Sequence, residues 1–281
     1  MQINENVIEH VIQGFHIPPK PAVLEEIQLL AKSQNADPSE IACCVASDVG
    51  LSAAILKTLN SPFYGMARSI SDVKQATVML GINSVMNLVA AYEIRKSMDG
   101  KACISFERFW DHSANIANAM VFIGKRVNPT IPLEDLHIAG LFHDCGLPAM
   151  AMKFDDYVEV LKTANERHEI SLVDLEENSY RTNHTVVGYY IATSWGLPKE
   201  LCNLVLRHHE TSLLHKASSL DADNRLCWMF AVLKIAENIS ENARNGVDTR
   251  DWAFVKDDIY TFLGINEDEY KNMEEDLNEV E

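Results

Sequence analysis

The stretch Ala139–Met150 reads AGLFHDCGLPAM, and its polar residues decide how the whole chain is interpreted. An apolar run ends at His143, which stands directly before Asp144, and Gly146 follows two residues later. Imidazole and carboxylate groups bind metals and transfer protons, and both are costly to bury without partners. Gly146 predicts that the helix ends at this point, which would let both side chains reach one ion. The segment therefore predicts an interior polar site at a helix end.

The periodicity of the remaining sequence is helical. Apolar residues recur at intervals of three and four, as between Ile3 and Phe15 and over Val73–Leu80, and no sustained alternation of apolar and polar residues predicts a strand. The stretch ADPSEIACCVA opens a helix with Asp37 as N-cap, Pro38 at the first helical position and Glu40 at the capping-box position. The predicted fold class is all-α and multi-helical.

The composition changes over Met98–Ser105, which reads MDGKACIS. An Asp-Gly pair commonly separates helices. We predict an N-terminal helical subdomain over 1–100, a second helical subdomain over 101–245 that holds most of the histidines, and an acidic extension over 246–281.

The last residues of the chain, NEDEYKNMEEDLNEVE, are strongly acidic. Tyr270, Met273, Leu277 and Val280 nevertheless recur at helical intervals. An amphipathic helix with a solvated acidic face is predicted here, and a disordered tail is the alternative.

Length and charge limit the classes of partner. The chain has 281 residues and a formal net charge of −17, with 41 acidic against 24 basic residues. Nucleic acids and anionic membranes are bound through clustered Lys and Arg, so neither is an expected partner. No run approaches the ~20 apolar residues of a membrane helix, and the N-terminus lacks the features of a signal peptide. Six cysteines without a C-x-x-C pair fit a reducing compartment, and a cytoplasmic protein is predicted.

Several residues that can bind a metal occupy positions where the helical pattern predicts apolar side chains. Asp144 adds a carboxylate beside one of them. A divalent cation would satisfy several such groups together, whereas a single histidine on an apolar face is more often a hydrogen-bonded core residue than a ligand. The prediction of a shared site therefore requires separate helices to converge. The residues are His112, His143, His184, His208 and Glu237.

His112 in HSANIA, the His143-Asp144 pair in GLFHDCG and Glu237 in KIAEN resemble the ordered ligands of the HD superfamily of metal-dependent phosphohydrolases. That family is all-helical, and its pattern of a histidine, a His-Asp pair and an aspartate binds one or two divalent metals. The resemblance implies that these four residues are metal ligands and that the subdomain over 101–245 is HD-like.

Further histidines resemble the additional ligands of two-metal members of the HD superfamily. His184 lies in HTVVGYYIATSWGLP, and His208 and His209 lie in LRHHE. The resemblance implies one or two divalent ions, the second held by these histidines.

The first hundred residues are similar to the HDOD domain, the HD-related output domain of bacterial signalling proteins. The matching segments are IPPKPAV, SDVGLSAAILKTLNSPFYG and ISDVKQATVMLG, with WGLP and RHHE downstream. The resemblance covers roughly 17–240. HDOD domains are regulatory relatives without an established reaction, which implies an output module that acts through a protein partner without robust catalysis.

Two features depart from the catalytic relatives. Glu237 stands where they have aspartate, and HHE continues as TSLLHKASS rather than with a Gly-Tyr-Pro segment. The second departure argues against cyclic-dinucleotide phosphodiesterases of the HD-GYP type. A metal that only stabilises the fold is a further alternative.

The intact His-Asp pair keeps a metal-dependent phosphohydrolase as the alternative function. A bound metal would polarise a phosphoryl oxygen of a phosphate ester or nucleotide, with Asp144 and His184 as candidate catalytic residues. Few basic residues near the motifs would bind such an anion, namely Lys125, Arg126 and Arg207.

Overall fold

The computed structural model describes most of the chain. Within the described ranges every regular element is a helix and no strand occurs, which confirms the all-α prediction. The stripe predicted from Ile3 lies outside these ranges except for Phe15. The described residues are 14–15, 17–33, 36–98, 100–128, 130–167, 170–215 and 225–280.

In the N-terminal part, Asp37 caps the start of the second helix. Asp37 accepts a hydrogen bond from the backbone N–H of Ser39 at 2.7 Å, and Pro38 is the first helical residue, as predicted. The capping-box prediction placed this bond one residue later, at Glu40, but the short Asp side chain bonds the nearer N–H. The elements are α1 Ala22–Ala31, α2 Pro38–Ala46, α3 Val49–Leu59, a 3-10 turn Pro62–Tyr64, α4 Val73–Leu80 and α5 Ile82–Ser97.

The long helix α6 starts after the 98–105 connection and packs along α7 and α13. Gly140 permits the close approach of α7, because a Cβ there would lie 2.6 Å from Ala117 Cα. The elements are α6 Phe106–Val127, α7 Leu133–Phe142, α8 Gly146–Lys153, α9 Tyr157–Glu166, α10 Leu172–Tyr180, α11 His184–Ser194, α12 Lys199–Arg207, α13 Arg225–Asn245, α14 Trp252–Leu263 and α15 Glu267–Val280.

Gly146 has a different role from the one its sequence position suggests. Helix α7 ends at Phe142, and Gly146 begins α8 rather than ending the preceding helix. A Cβ at Gly146 would lie 1.9 Å from the carbonyl oxygen of His184, so only glycine lets α8 pack against the start of α11. The residue brings two helices together instead of terminating one.

The acidic C-terminal segment forms helix α15. Tyr270, Met273 and Leu277 are buried, whereas Val280 is exposed. The amphipathic-helix prediction is confirmed for the described residues. Asp276 on the polar face pairs with Arg126 of α6 at 2.7 Å.

Buried apolar side chains from the N-terminal, central and C-terminal parts join one core. A shared core neither requires nor excludes a division at residues 100 and 245, so that division stays a prediction. Lys125 of α6 donates a hydrogen bond to the carbonyl oxygen of Phe63 at 2.7 Å, which ties the 3-10 turn to the central helices.

No single helix in the described residues is both long and apolar enough to cross a bilayer. The consecutive helices α2 and α3 meet that requirement only as a pair, and they are bent by 114° at the break between them.

Candidate metal centre

Asp144 occupies the turn over 143–145 that connects α7 to α8. Its two carboxylate oxygens face different histidines. Oδ2 lies 3.3 Å from Nε2 of His143, and Oδ1 lies 3.2 Å from Nε2 of His208 and 3.5 Å from Nε2 of His184. The close packing at Gly146 places this turn against the start of α11 and so determines these distances. Asp144 is therefore the acidic centre of a ring of histidines.

Backbone carbonyls orient two of these rings. Nδ1 of His143 lies 2.7 Å from the carbonyl oxygen of Gly140, and Nδ1 of His208 lies 2.8 Å from that of Val205. A carbonyl oxygen only accepts, so each Nδ1 carries the proton and donates it. In the neutral ring, Nε2 then keeps a lone pair directed toward Asp144. Ligand histidines in metal sites are usually held in this way.

A buried carboxylate orients the third ring. Oε2 of Glu176 accepts hydrogen bonds from Nδ1 of His184 at 2.7 Å and from its backbone N–H at 3.1 Å. The other oxygen of Glu176 accepts from the hydroxyl of Tyr157. Nε2 of His184 is buried and has no hydrogen-bond partner among the described side chains and backbone. A buried nitrogen acceptor without a partner is costly, and a coordinated cation would satisfy it.

Within the described residues, one group of possible ligand atoms comes from one carboxylate and three histidines. Asp144, His184, His208 and His209 each offer an atom, and these atoms all lie within 4.8 Å of one another. Bonds from a divalent metal to nitrogen and oxygen are about 2.0–2.2 Å long, so opposite ligands lie up to about twice that distance apart. Small inward movements of the side chains would complete coordination. The residues fit one divalent ion.

The other predicted ligands lie beside this group. His112 and Glu237 line a cavity of about 540 Å³ together with His143 and Asp144. Oε1 of Glu237 lies 3.6 Å from Nε2 of His143. All seven sequence-predicted residues thus lie around one interior region. The four whose ligand atoms lie within 4.8 Å of one another, however, combine Asp144 with the three histidines that the resemblance assigned to an additional metal.

Besides Glu176, two charged residues of this region are absent from the predicted site. Nζ of Lys234 lies 2.9 Å from Oε2 of Glu237 and 3.0 Å from Oδ2 of Asp251, and Lys234 is only 1% exposed. The same oxygen of Asp251 lies 2.9 Å from Nδ1 of His209. Lys234 stands three residues before Glu237, a spacing that indicates a pair on one helix face. No sequence signal indicated Asp251, which precedes α14 in the acidic extension.

Burial and charge set the protonation of the centre. Burial raises the pKa of Asp144, but His143 and His208 outweigh it and hold that pKa well below its usual range. Burial lowers the pKa of His143, and Asp144 with Glu237 reverses the effect and raises it. Burial and the neighbouring His209 hold the pKa of His208 well below its usual range, which keeps it neutral and able to coordinate.

Burial and neighbouring charges also set the pKa values of His184, His112 and Lys234. Burial lowers the pKa of His184, but the Glu176 carboxylate outweighs it and raises that pKa. Burial, Arg244 and His143 lower the pKa of His112. Burial opposes the charge on Lys234, whereas Glu237 and Asp251 raise its pKa, so it remains an ammonium.

A second cavity, of about 790 Å³, is also lined by His209 and Asp251. Arg207 lines it and pairs with Glu210 at 2.7 and 3.1 Å. Phe254, 65% exposed, lies at the same cavity. Of the three basic residues considered for anion binding, only Arg207 lies here, because Lys125 and Arg126 bond Phe63 and Asp276 as described above.

Comparison with known protein families shows which family the chain belongs to. The model of the HDOD domain matches residues 17–211. The chain belongs to the HDOD family. The match ends before α13, so Lys234, Glu237 and Asp251 of this HDOD chain lie beyond it, whereas the resemblance seen in the sequence extends to roughly 240.

This HDOD chain is similar to one curated relative in sequence and to two solved structures in fold. An uncharacterized protein of Treponema pallidum (strain Nichols) is 24% identical over 196 residues, which span 69% of the chain but only 37% of that relative. A Shewanella amazonensis structure titled "Putative phosphohydrolase" has a TM-score of 0.67 at 17% identity, covering 98% of this chain and 93% of that one. A Marinobacter aquaeolei structure titled "Putative signal transduction protein" has a TM-score of 0.66 at 16% identity, covering 98% and 62%. At these identities the two structures show a shared fold.

Proposed function

We propose that this HDOD chain is a signal-transduction output module that holds a divalent metal and acts through a protein partner, without robust catalysis. The observation that carries the metal centre is the buried Nε2 of His184, which lacks a hydrogen-bond partner within the described residues and faces Asp144. Asp144, His184, His208 and His209 would hold the ion. Three imidazoles with one carboxylate suit a borderline metal such as Zn²⁺, and the carboxylate also admits the harder Mn²⁺.

The signalling role is supported by family membership and by the N-terminal surface. Leu29, Val78 and Met79 are between 53% and 68% exposed, which makes them candidate contacts for a partner. They lie in the part of the chain that carries none of the ligands. A protein partner is the proposed occupant of that surface, and the similar structure named as a signal transduction protein agrees with this role.

Metal analysis tests the centre. We expect the purified protein, dialysed against Mn²⁺ or Zn²⁺ and then against buffer, to retain metal by mass spectrometry. His184→Ala and Asp144→Asn should lose it. His215→Ala is the matched control, because His215 is exposed and pairs with Asp258 away from the centre. Equal metal content in all four proteins, or none in the wild type, would contradict the proposal.

Metal-dependent hydrolysis of a phosphate ester is the second candidate. The two cavities that reach His209 and Asp251 favour it, because each is large enough for a small molecule beside the ligands. When bound, the ion would polarise a phosphoryl oxygen and activate water. Asp144 and His184 would then hold and orient the reacting groups.

A panel of phosphatase and phosphodiesterase substrates with added Mn²⁺ or Mg²⁺ separates the two candidates. The output-module proposal predicts bound metal without turnover. Turnover that is lost in His143→Ala and Asp144→Ala, with both variants folded by circular dichroism, would favour the hydrolase.

A further inference from the structure

We propose that Lys234 is a built-in cation that takes the electrostatic place of a second metal ion, so that the centre binds one divalent ion per chain. The inference rests on the proposed metal centre for the first ion. It is carried by the position of Nζ, which is buried and lies 2.9 Å from Oε2 of Glu237 and 3.0 Å from Oδ2 of Asp251.

Glu237 and Asp251 are the carboxylates left for a second ion once the histidine group holds the first. Glu237 is the residue that the HD pattern assigns as a ligand, and its Oε1 faces His143 at 3.6 Å. Its other oxygen is already bonded to the ammonium. An ion at this position would lie within a few ångströms of a buried positive charge, and the repulsion would be strong in a poorly solvated site. Lys234 therefore neutralises these carboxylates and excludes a competing cation.

The first ion takes no ligand atom from these carboxylates. Its four ligand atoms come from Asp144, His184, His208 and His209, and neither Glu237 nor Asp251 belongs to that group. Asp251 connects Lys234 to the ligand group, because its Oδ2 contacts both Nζ of Lys234 and Nδ1 of His209. Lys234 thus also acts as a positioning residue, because it fixes the carboxylate that orients His209.

Counting ions tests this role. We expect native mass spectrometry with saturating Mn²⁺ to find one ion in the wild type and in Lys234→Arg, which keeps the charge. Lys234→Met should bind two, because Glu237 and Asp251 then lack their cation. Lys162→Met is the matched control, because it removes an exposed lysine paired with Glu159 and should stay at one ion.

A second pair of variants tests whether Lys234 excludes an ion when the histidine group can no longer bind one. His184→Ala should bind no ion tightly, whereas His184→Ala with Lys234→Met should bind one through the freed carboxylates. Mn²⁺ should also raise the Tm of Lys234→Met more than that of the wild type, since it replaces a missing counter-charge. If Lys234→Met does not fold, Lys234→Gln is measured in its place.

The outcomes separate the two proposals. One ion in the wild type and one in the charge-removing variant that folds, Lys234→Met or Lys234→Gln, would overturn the role of Lys234 and leave the metal centre standing. No ion in the wild type but one in Lys234→Met would refute the proposed metal centre and would support the proposal that Lys234 excludes a cation. Two ions in the wild type, or none in any protein, would overturn the built-in cation.

Discussion

Oδ1 of Asp144 lies 3.2 Å from Nε2 of His208, and this contact joins the turn after α7 to the end of α12. The second oxygen of the same carboxylate faces His143. Because both rings give their Nδ1 protons to backbone carbonyls, the carboxylate faces the Nε2 atom of each ring. A carboxylate and an Nε2 lone pair repel unless a proton or a cation lies between them, so each contact needs a positive charge that a bound cation would supply to both rings.

Glu176→Gln should weaken Mn²⁺ binding about 10–100-fold, the usual effect of removing a carboxylate behind a ligand histidine. The variant keeps the size of the side chain but loses the charge that holds Nδ1 of His184. Isothermal titration calorimetry measures the affinity. Asp174→Asn on the same helix is the control and should bind like the wild type. Unchanged affinity in Glu176→Gln would show that His184 is not a ligand.

Mn²⁺ affinity should increase from pH 6 to pH 8. Glu176 overcomes the effect of burial and raises the pKa of His184, so the ring is protonated in the metal-free protein at the lower pH. The ion needs the neutral ring and competes with that proton, so binding strengthens as the pH rises through the raised pKa. Titrations at three pH values in a non-chelating buffer measure the trend. An affinity that is flat or falls over this range would contradict it.

Gly146→Ala should destabilise the protein by several kcal/mol, because its Cβ would overlap the carbonyl oxygen of His184 and force backbone movement. Urea unfolding measures the loss. Gly246→Ala is the contrast: no atom lies within 4 Å of its Cβ, but its φ of 70° leaves a strain of about 1 kcal/mol. Equal effects in the two variants would show that the approach of α8 to α11 is not tight.

His137→Leu should flatten the pH dependence of stability below neutrality. Burial lowers the pKa of His137 to about 4, whereas an unfolded histidine titrates near ~6.5. The unfolded chain therefore binds a proton first as the pH falls, and the wild type should lose about 2 kcal/mol between pH 7 and pH 5 from this residue. His137→Leu should lack that loss.

Urea unfolding at both pH values measures the difference. Nδ1 of His137 has no hydrogen-bond partner within the described part of the chain, so leucine leaves no new polar group unpaired. His215→Leu, at an exposed site, should follow the wild type. Identical pH dependence in wild type and His137→Leu would mean that His137 accepts a proton in the folded state.

Periodicity was enough to predict the helices and the polar positions on their inner faces. His184 and His208 interrupt apolar stripes, and the cost of burying them alone indicated a shared site. The roles of the individual residues within the site were harder to predict from the sequence. Local spacing cannot show that Lys234 reaches both Glu237 and Asp251, because the second contact depends on how α13 and the start of α14 pack. Glu176 was missed for the same reason, since its buried position is set by α11.

The position of Asp251 has a practical consequence for anyone who shortens this protein. Cutting after α13, where the acidic segment begins, would remove the carboxylate that contacts both Lys234 and His209. The remaining fragment would carry a buried ammonium with one counter-ion instead of two, and a histidine without its hydrogen-bond acceptor. A truncated version would therefore report on a damaged centre, and measurements of ion content require α14 to be retained.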